Sequence, residues 1–345
     1  HTAYRRQRQM CIRDSYSLVP FFTQLGNDID GEAIGDESGH SVSISDSGNI
    51  IAIGAIKNDG GGKWSGHVRI FSYDGSTWSQ LGNDIDGENI VDQSGFSVSL
   101  NGDGTIVAIG SINNYGTNSV ESGHTRIFEY SSGSWTQLGN DINSEDALDY
   151  SGYSVSLSKK NNIVAIGAIN NTNTNGANSG HVRVYEYSNN TWTQKGSDID
   201  GNSEGDKFGH SVSLSRFGTT LAVGAIGVDS PSSGIGEVTV YTWDGSSWIT
   251  KGDSITGEAE GDQSGYCVSL SGLGGELAIG AIGNDAGGEN SGHVRVYEYS
   301  NNTWTQKGSD IDGELAGDNS GISVSLNHYG TCLLYTSDAA DDMQC

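Results

Sequence analysis

Carboxylates at alternate positions are the first residues in this chain of 345 that could do chemistry. Asp28-Ile29-Asp30-Gly31-Glu32, followed by Asp36, returns as Asp84-Ile85-Asp86-Gly87-Glu88 with Asp92, and as Asp310-Ile311-Asp312-Gly313-Glu314 with Asp318. A shorter version keeps Asp198 and Asp200. A hard cation such as Ca2+ gathers about six to eight oxygens from a curled loop, which makes these acids candidate calcium ligands. The competing reading is an acidic turn whose Asp caps backbone N–H groups. The degenerate copies Asp141-Ile142-Asn143-Ser144 and Ser254-Ile255-Thr256-Gly257 favour that reading.

Histidine recurs as Ser-Gly-His at His67, His124, His181 and His293, with Glu237 in the remaining copy. Zinc ligands must converge within a few ångströms. One histidine per copy should point away from the others, so packing or a hydrogen bond at strand entry is expected. Arg69, Arg126, Arg183 and Arg295 follow two residues later and read as structural ion-pair partners. His40 and His210 share a position with Phe96, Tyr153, Tyr266 and Ile322, which marks a packing site. The sequence contains no G-x-S-x-G, H-E-x-x-H or G-x-x-x-x-G-K-[ST]. Gly60-Gly61-Gly62-Lys63-Trp64 has Trp where a phosphate loop needs Ser or Thr. No catalytic residue is singled out, and no cofactor is expected beyond a candidate Ca2+.

The elements that must position these residues come from one repeat. Phe22, Trp78, Trp135, Trp192, Trp248 and Trp304 are separated by 56, 57, 57, 56 and 56 residues. The series Gly39, Gly95, Gly152, Gly209, Gly265, Gly321 and the series Gly54, Gly110, Gly167, Gly224, Gly280 keep the same register. Within one copy, Ser154–Ser158 alternates small polar with apolar residues, the period of a half-buried strand. A tight turn, with Gly/Asp/Asn chemistry in copies such as Asn101-Gly102-Asp103-Gly104, leads to a second strand, Ile163–Ala168, and a longer loop to a third, His181–Tyr187. The fourth is Trp192–Gly196, after which Asp198–Lys207 carries the chain onward. Four-strand meanders at this period predict an all-β fold, a β-propeller of four-stranded antiparallel blades. A β-helix or other solenoid is the alternative. Five full copies with orphan strands at Phe22–Gly26 and Ser323–Leu326 predict an incomplete ring with exposed sheet edges.

Charge narrows the partners. Asp+Glu 43 against Lys+Arg 17 gives a net charge of −26, which repels phosphate backbones and anionic headgroups. Nucleic acid is therefore not expected as a partner. No run of about 18 apolar residues exists, so no membrane insertion is expected in this segment. Residues 1–15 and 332–345 differ in composition from everything between them and hold Cys11, Cys332 and Cys345. Both resemble translated sequencing-adapter read-through and are set aside from the domain at 16–331. A genuine basic arm and acidic tail is the alternative.

Phe208-Gly209-His210-Ser211-Val212-Ser213-Leu214 followed by Leu221-Ala222-Val223-Gly224-Ala225 resembles the FG-GAP repeat of integrin α-subunits. The resemblance implies a propeller and an adhesive setting. It departs from the family in two ways: Ser38, Ser94, Ser151, Ser264 and Ser320 replace the Phe, and no Pro follows Gly-Ala. The family's calcium loop has no counterpart in the short turn at Arg216-Phe217-Gly218.

The loops between second and third strands vary most from copy to copy. Asn58, Asp59, Trp64, Asn114, Tyr115, Asn171, Asn173, Asp229, Asn284 and Asp285 are the candidate ligand contacts. The expected function is a non-catalytic secreted or surface binding module, adhesive and calcium-assisted, for a protein or glycan ligand. A structural spacer and a polysaccharide-acting enzyme are the alternatives.

Overall fold

A computed structural model describes residues 24–115, 121–228 and 234–337, together with the backbone of 6–11. Among the described residues all regular structure is β, and no helix is long and apolar enough to cross a membrane.

Five antiparallel sheets, blades I to V, repeat one plan. Blade I consists of Ser38–Ile44, Ile50–Ala55, His67–Tyr73 and Trp78–Gln80, hydrogen-bonded in that order. Blade II runs from Ser94–Leu100 to Ser134–Gln137, blade III from Ser151–Leu157 to Thr191–Gln194. Blade IV runs from Phe208–Leu214 to Trp248–Thr250 and blade V from Ser264–Leu270 to Thr303–Gln306. The four-stranded meander and the propeller fold class follow the sequence pattern closely. In blade III the second strand is Ile163–Ala168 and the third His181–Ser188, within one residue of expectation.

Two differences matter. Each first strand begins earlier than its alternation suggests, with a bulge between Ser38 and Ser41 and its counterparts. Gly39, at φ 91°, makes that bulge, a conformation open to glycine and costly for L side chains. Next, the acidic segment after the fourth strand is not only a turn. Ile85–Asp86 is a short strand on the same edge of His67–Tyr73 as the fourth strand, with Ile85 opposite Val68 and Asp86 opposite His67. Ile85 is buried, and its apolar side chain between two acids holds the segment against the sheet.

The chain divides into two compact units. One comprises Arg13–Ala168 and Val184–Gln194, the other His1–Ile12, Ile169–Arg183 and Lys195–Cys345. In the first unit, Ala52, Val68 and Ile70 of blade I pack on Val98, Leu100, Val107 and Ile109 of blade II. Ile106, Ala108 and Ile127 on the other face of blade II meet Leu157, Val164 and Ile166. In the second unit, Val238 and Val240 of blade IV pack on Val268, Leu270, Leu277 and Ile279 of blade V. Both faces of a blade are thus apolar, which explains why the second strands read as unbroken apolar runs.

Polar stitches fix the stacking. Ser97 Oγ donates to Gly152 O at 2.7 Å, and a Cβ on Gly110 would collide with that same oxygen. The indole N–H of Trp135 donates to Leu81 O of the preceding copy at 2.7 Å, as Trp304 does to Lys251 O.

Within 332–345, Cys332–Ser337 forms a strand between Val324–Leu326 and Arg6–Cys11. Leu333 is 1% exposed and packs with Val324 against Val294 and Val296 of blade V. Leu333 and Tyr335, two residues apart, share one face of this strand, and that face covers the apolar cluster of Val294 and Val296 in blade V. Residues 338–345, Phe22 and Asp229 lie outside the described residues.

Candidate functional site

Two features recur at equivalent places in the blades. The first is the rim made by the loops between second and third strands. Asn58, Asn114 and Asn284, read from sequence as ligand contacts, are buried instead. The Asn58 amide donates to Asp36 Oδ2 at 2.9 Å, and Asn114 to Asp92 Oδ2 at 3.0 Å. Asn58 Oδ1 accepts from Gly60 N, and Asn284 Oδ1 from Ala286 N. These side chains replace the ladder bonds that a loop lacks, and four of the five blades keep the Asn (Asn58, Asn114, Asn171 and Asn284), with Val228 in its place in blade IV. Asn171 is buried as well. Asp59 and Asp285 accept from Trp64 N and Asn290 N, closing their loops. Asn173 accepts from Asn175 N.

Trp64 and Tyr115 stand outward, 42% and 39% exposed. Lys63 Nζ lies 4.7 Å from the centre of a Trp64 ring. The loop leans on the following connector through Val91 N to Lys63 O and Gln93 N to Trp64 O. Blade V carries a cleft on its rim lined by Glu260, Gln263, Asp285, Glu289, Asn290 and Asn319, a lining of carboxylates and amides.

The candidate calcium ligands separate into different jobs. Asp92 Oδ2 accepts from Glu88 N and Asn89 N, and Asp318 Oδ2 from Glu314 N and Leu315 N. Asp36 accepts from Ala33 N. Asp36, Asp92 and Asp318 are buried caps. Asp206 and Asp262, passed over in the sequence reading, do the same. Asp28 accepts from Gln24 Nε2 at 2.7 Å. Asp86 and Asp312 sit on the short strands, while Asp30 and Glu32 precede blade I.

The second feature is a group of one histidine and two acids. Glu32, His67 and Asp84 each place a ligand atom within 4.8 Å of the others. Glu88, His124 and Asp141 do so next, and Glu258, His293 and Asp310 in blade V. No two of these histidines meet; each is met by carboxylates from the connectors before and after its own blade. The sequence reading weighed histidine against histidine only. The usable signal was that four positions change together in blade IV.

All three histidines are essentially buried, and burial holds each imidazole below its ordinary pKa. For His124 the value falls to about 4, with Arg126 adding to desolvation and Asp141 opposing it. At neutral pH these rings are neutral and one nitrogen of each is a free acceptor.

Arginine organises each group. Arg126 donates through one terminal nitrogen to Asp86 O at 2.7 Å and faces Glu88 Oε1 at 3.4 Å through the other. Arg69 does the same with Asp30 O at 2.6 Å and Glu32 Oε1 at 3.8 Å. Burial raises the pKa of Glu88, and the Arg126 charge offsets part of that rise.

No family model matches this chain, and no curated protein does. Among solved structures it is similar to the Dos1 propeller, at 12% identity and TM-score 0.48, over 86% of this chain and 77% of that one. A proposed TolB of Agrobacterium tumefaciens is similar at 13% identity and TM-score 0.48, covering 86% and 88%. A proposed 6-phosphogluconolactonase of Bacteroides uniformis is similar at 11% identity and TM-score 0.46, covering 80% and 86%. Likeness at this level concerns architecture and not activity.

Proposed function

We propose that the chain is a non-catalytic binding module of a secreted or cell-surface protein, contacting a protein or glycan through its second-to-third-strand loops. One observation carries this reading: in blades I and II the loops are braced from within by the same Asn–Asp pair while their outward residues differ. Asn58 with Asp36 and Asn114 with Asp92 hold the same bond under different surfaces, Trp64 on one and Tyr115 on the other. A rigid brace lowers the entropy lost on binding, and variable tips set specificity. Exposed aromatic rings beside amides and carboxylates suit sugars and polar protein surfaces. The net charge of −26 favours solubility outside the cell and disfavours polyanions.

The test is an array of glycans and surface proteins probed with the intact chain, then with residues 57–65 replaced by 283–291. Specific binding that disappears on loop exchange, with an unchanged melting temperature, is the expected result. A ligand retained after exchange of every such loop overturns the reading, as does a chain that retains no partner on the array.

A further inference from the structure

We propose that each histidine–carboxylate group is a divalent transition-metal site, with a buried imidazole and two connector carboxylates holding an ion such as Zn2+ or Mn2+ at the seam between adjacent copies. The proposal is independent of the loop reading above.

Geometry is the first support. His67 Nδ1 lies 3.8 Å from Glu32 Oε2, and His124 Nδ1 lies 4.0 Å from Asp141 Oδ2. His293 Nδ1 lies 4.0 Å from Glu258 Oε2 and 3.9 Å from Asp312 Oδ1. These separations exceed any hydrogen bond. Two atoms that share one ion at about 2.1 Å each stand roughly 3.4 Å apart at a tetrahedral angle and about 4.2 Å apart when opposed. These four separations fall inside that span, and the three ligand atoms of each group lie within 4.8 Å of one another.

The second support is the state of the rings. His67, His124 and His293 are 1%, 1% and 0% exposed, and their Nδ1 atoms have no hydrogen-bond partner. Nε2 of His124 and His293 is likewise without one. Leaving a buried polar group unpaired costs about 1–3 kcal/mol, so two bare nitrogens on one ring are costly. An ion at Nδ1 satisfies one of them and fixes the proton on the other. Neighbouring acids that fail to hydrogen-bond the ring, while surrounding it, are placed as co-ligands.

Third, the set is kept or lost as a whole. Blades I, II, III and V carry Glu, His, Arg and Asp at four equivalent positions: 32, 67, 69, 84; 88, 124, 126, 141; 145, 181, 183, 198; and 258, 293, 295, 310. Blade IV has Asn202, Glu237, Thr239 and Ser254 there, all four replaced at once. Its substitutes satisfy one another: Thr239 Oγ1 donates to Glu237 Oε1 at 3.3 Å and lies 2.9 Å from Ser254 Oγ. Packing positions elsewhere in the repeat drift singly, as the His40/Phe96/Tyr153 position does. Joint replacement is what a shared ligand imposes.

The donor set chooses the ion. One nitrogen with two or three carboxylate oxygens suits a borderline cation, whereas Ca2+ prefers oxygens alone. The arginine neutralises part of the acid charge and holds the glutamate: Arg295 faces Glu258 Oε1 at 3.7 Å while the other oxygen points to His293. Arginine here is a positioning residue.

The experiment uses the full chain, freed of metal with a chelator. Co2+ and Zn2+ are titrated separately, following the Co2+ visible bands and the heat of Zn2+ binding, with Ca2+ and Mg2+ as competitors. Micromolar or tighter Zn2+ uptake is expected, unchanged by a tenfold excess of Ca2+. His124→Gln and His293→Gln should each remove one bound ion, while Glu237→Gln in blade IV removes none. Folding of each variant is read by circular dichroism. Should a variant fail to fold, imidazole nitrogen NMR of the unaltered chain decides: Nδ1 resonances of His124 and His293 must shift on adding Zn2+. Absence of Zn2+ uptake, uptake unaltered by both substitutions, unmoved Nδ1 resonances, or Ca2+ displacing Zn2+ at equal concentration each overturns the proposal.

Discussion

Side-chain chemistry in this repeat is decided by how much water each residue loses. Asp92 and Asp86 lie six residues apart in one connector, yet Asp92 is fully buried under two backbone N–H groups while Asp86 is exposed on a strand. The sequence displays both as Asp and cannot separate them. His210 makes the same point. It is buried against Tyr266, its ring 4.7 Å from that ring and its Nδ1 3.1 Å from Tyr266 O. Burial lowers its pKa to about 4, with the Tyr266 carbonyl opposing and Lys207 adding. The unfolded ring takes up a proton below about 6.5, but the folded ring does so only near 4. Between those values the unfolded state binds more protons, so stability falls as pH falls. His210→Phe, which installs the residue of the blade II copy, should flatten that slope by up to about 1.4 kcal/mol per pH unit. Urea midpoints at pH 7, 6 and 5 measure it; an unchanged slope would show that the ring titrates in the native state as it does unfolded.

At the scale of the strand, close approach between blades explains the composition. The second strands carry Ala-Ile-Gly-Ala or a close variant, and the Gly is there because the neighbouring copy's bulge leaves no room for a side chain. Gly110 shows it: a Cβ there meets Gly152 O and Ser97 Oγ, while a Cβ on Gly133, at φ +90°, meets nothing within 4 Å. Gly133→Ala should therefore cost roughly 1 kcal/mol of backbone strain. Gly110→Ala must push two blades apart and should cost roughly 3 kcal/mol. Equal losses in chemical denaturation would mean that the seam yields without strain. The strand alternation, the turns and the third strand's bounds were all legible in the sequence. The short strand at Ile85–Asp86 was not, because two residues carry no period and only the facing His67 and Val68 define it.

At the scale of the whole molecule, within each compact unit a sheet covers a face of the next. Where no sheet among the described residues covers a face, apolar side chains are exposed: Val42 and Ile44 of blade I are 61% and 51% exposed, while their blade II counterparts Val98 and Leu100 are 8% and 0%. At blade V the covering is done by Val324 and Leu333. Leu333→Ala should lower stability by roughly 3 kcal/mol if that strand completes the core. A loss under about 0.5 kcal/mol, the range of ordinary surface changes, would restore the view that the terminal segment stands apart from the fold. The same covering creates the histidine groups, since each draws Glu from the connector before its blade and Asp from the one after.

The sequence by itself determined the repeat, the all-β class and the four-strand meander, because strand periodicity and turn chemistry are local and were copied in register. Tertiary structure alone decided which Asn and Asp became braces, which acids reached a histidine and where the apolar ends came to rest. Those outcomes depend on contacts between residues about one repeat apart, where desolvation and stacking act and adjacent letters carry no trace of them.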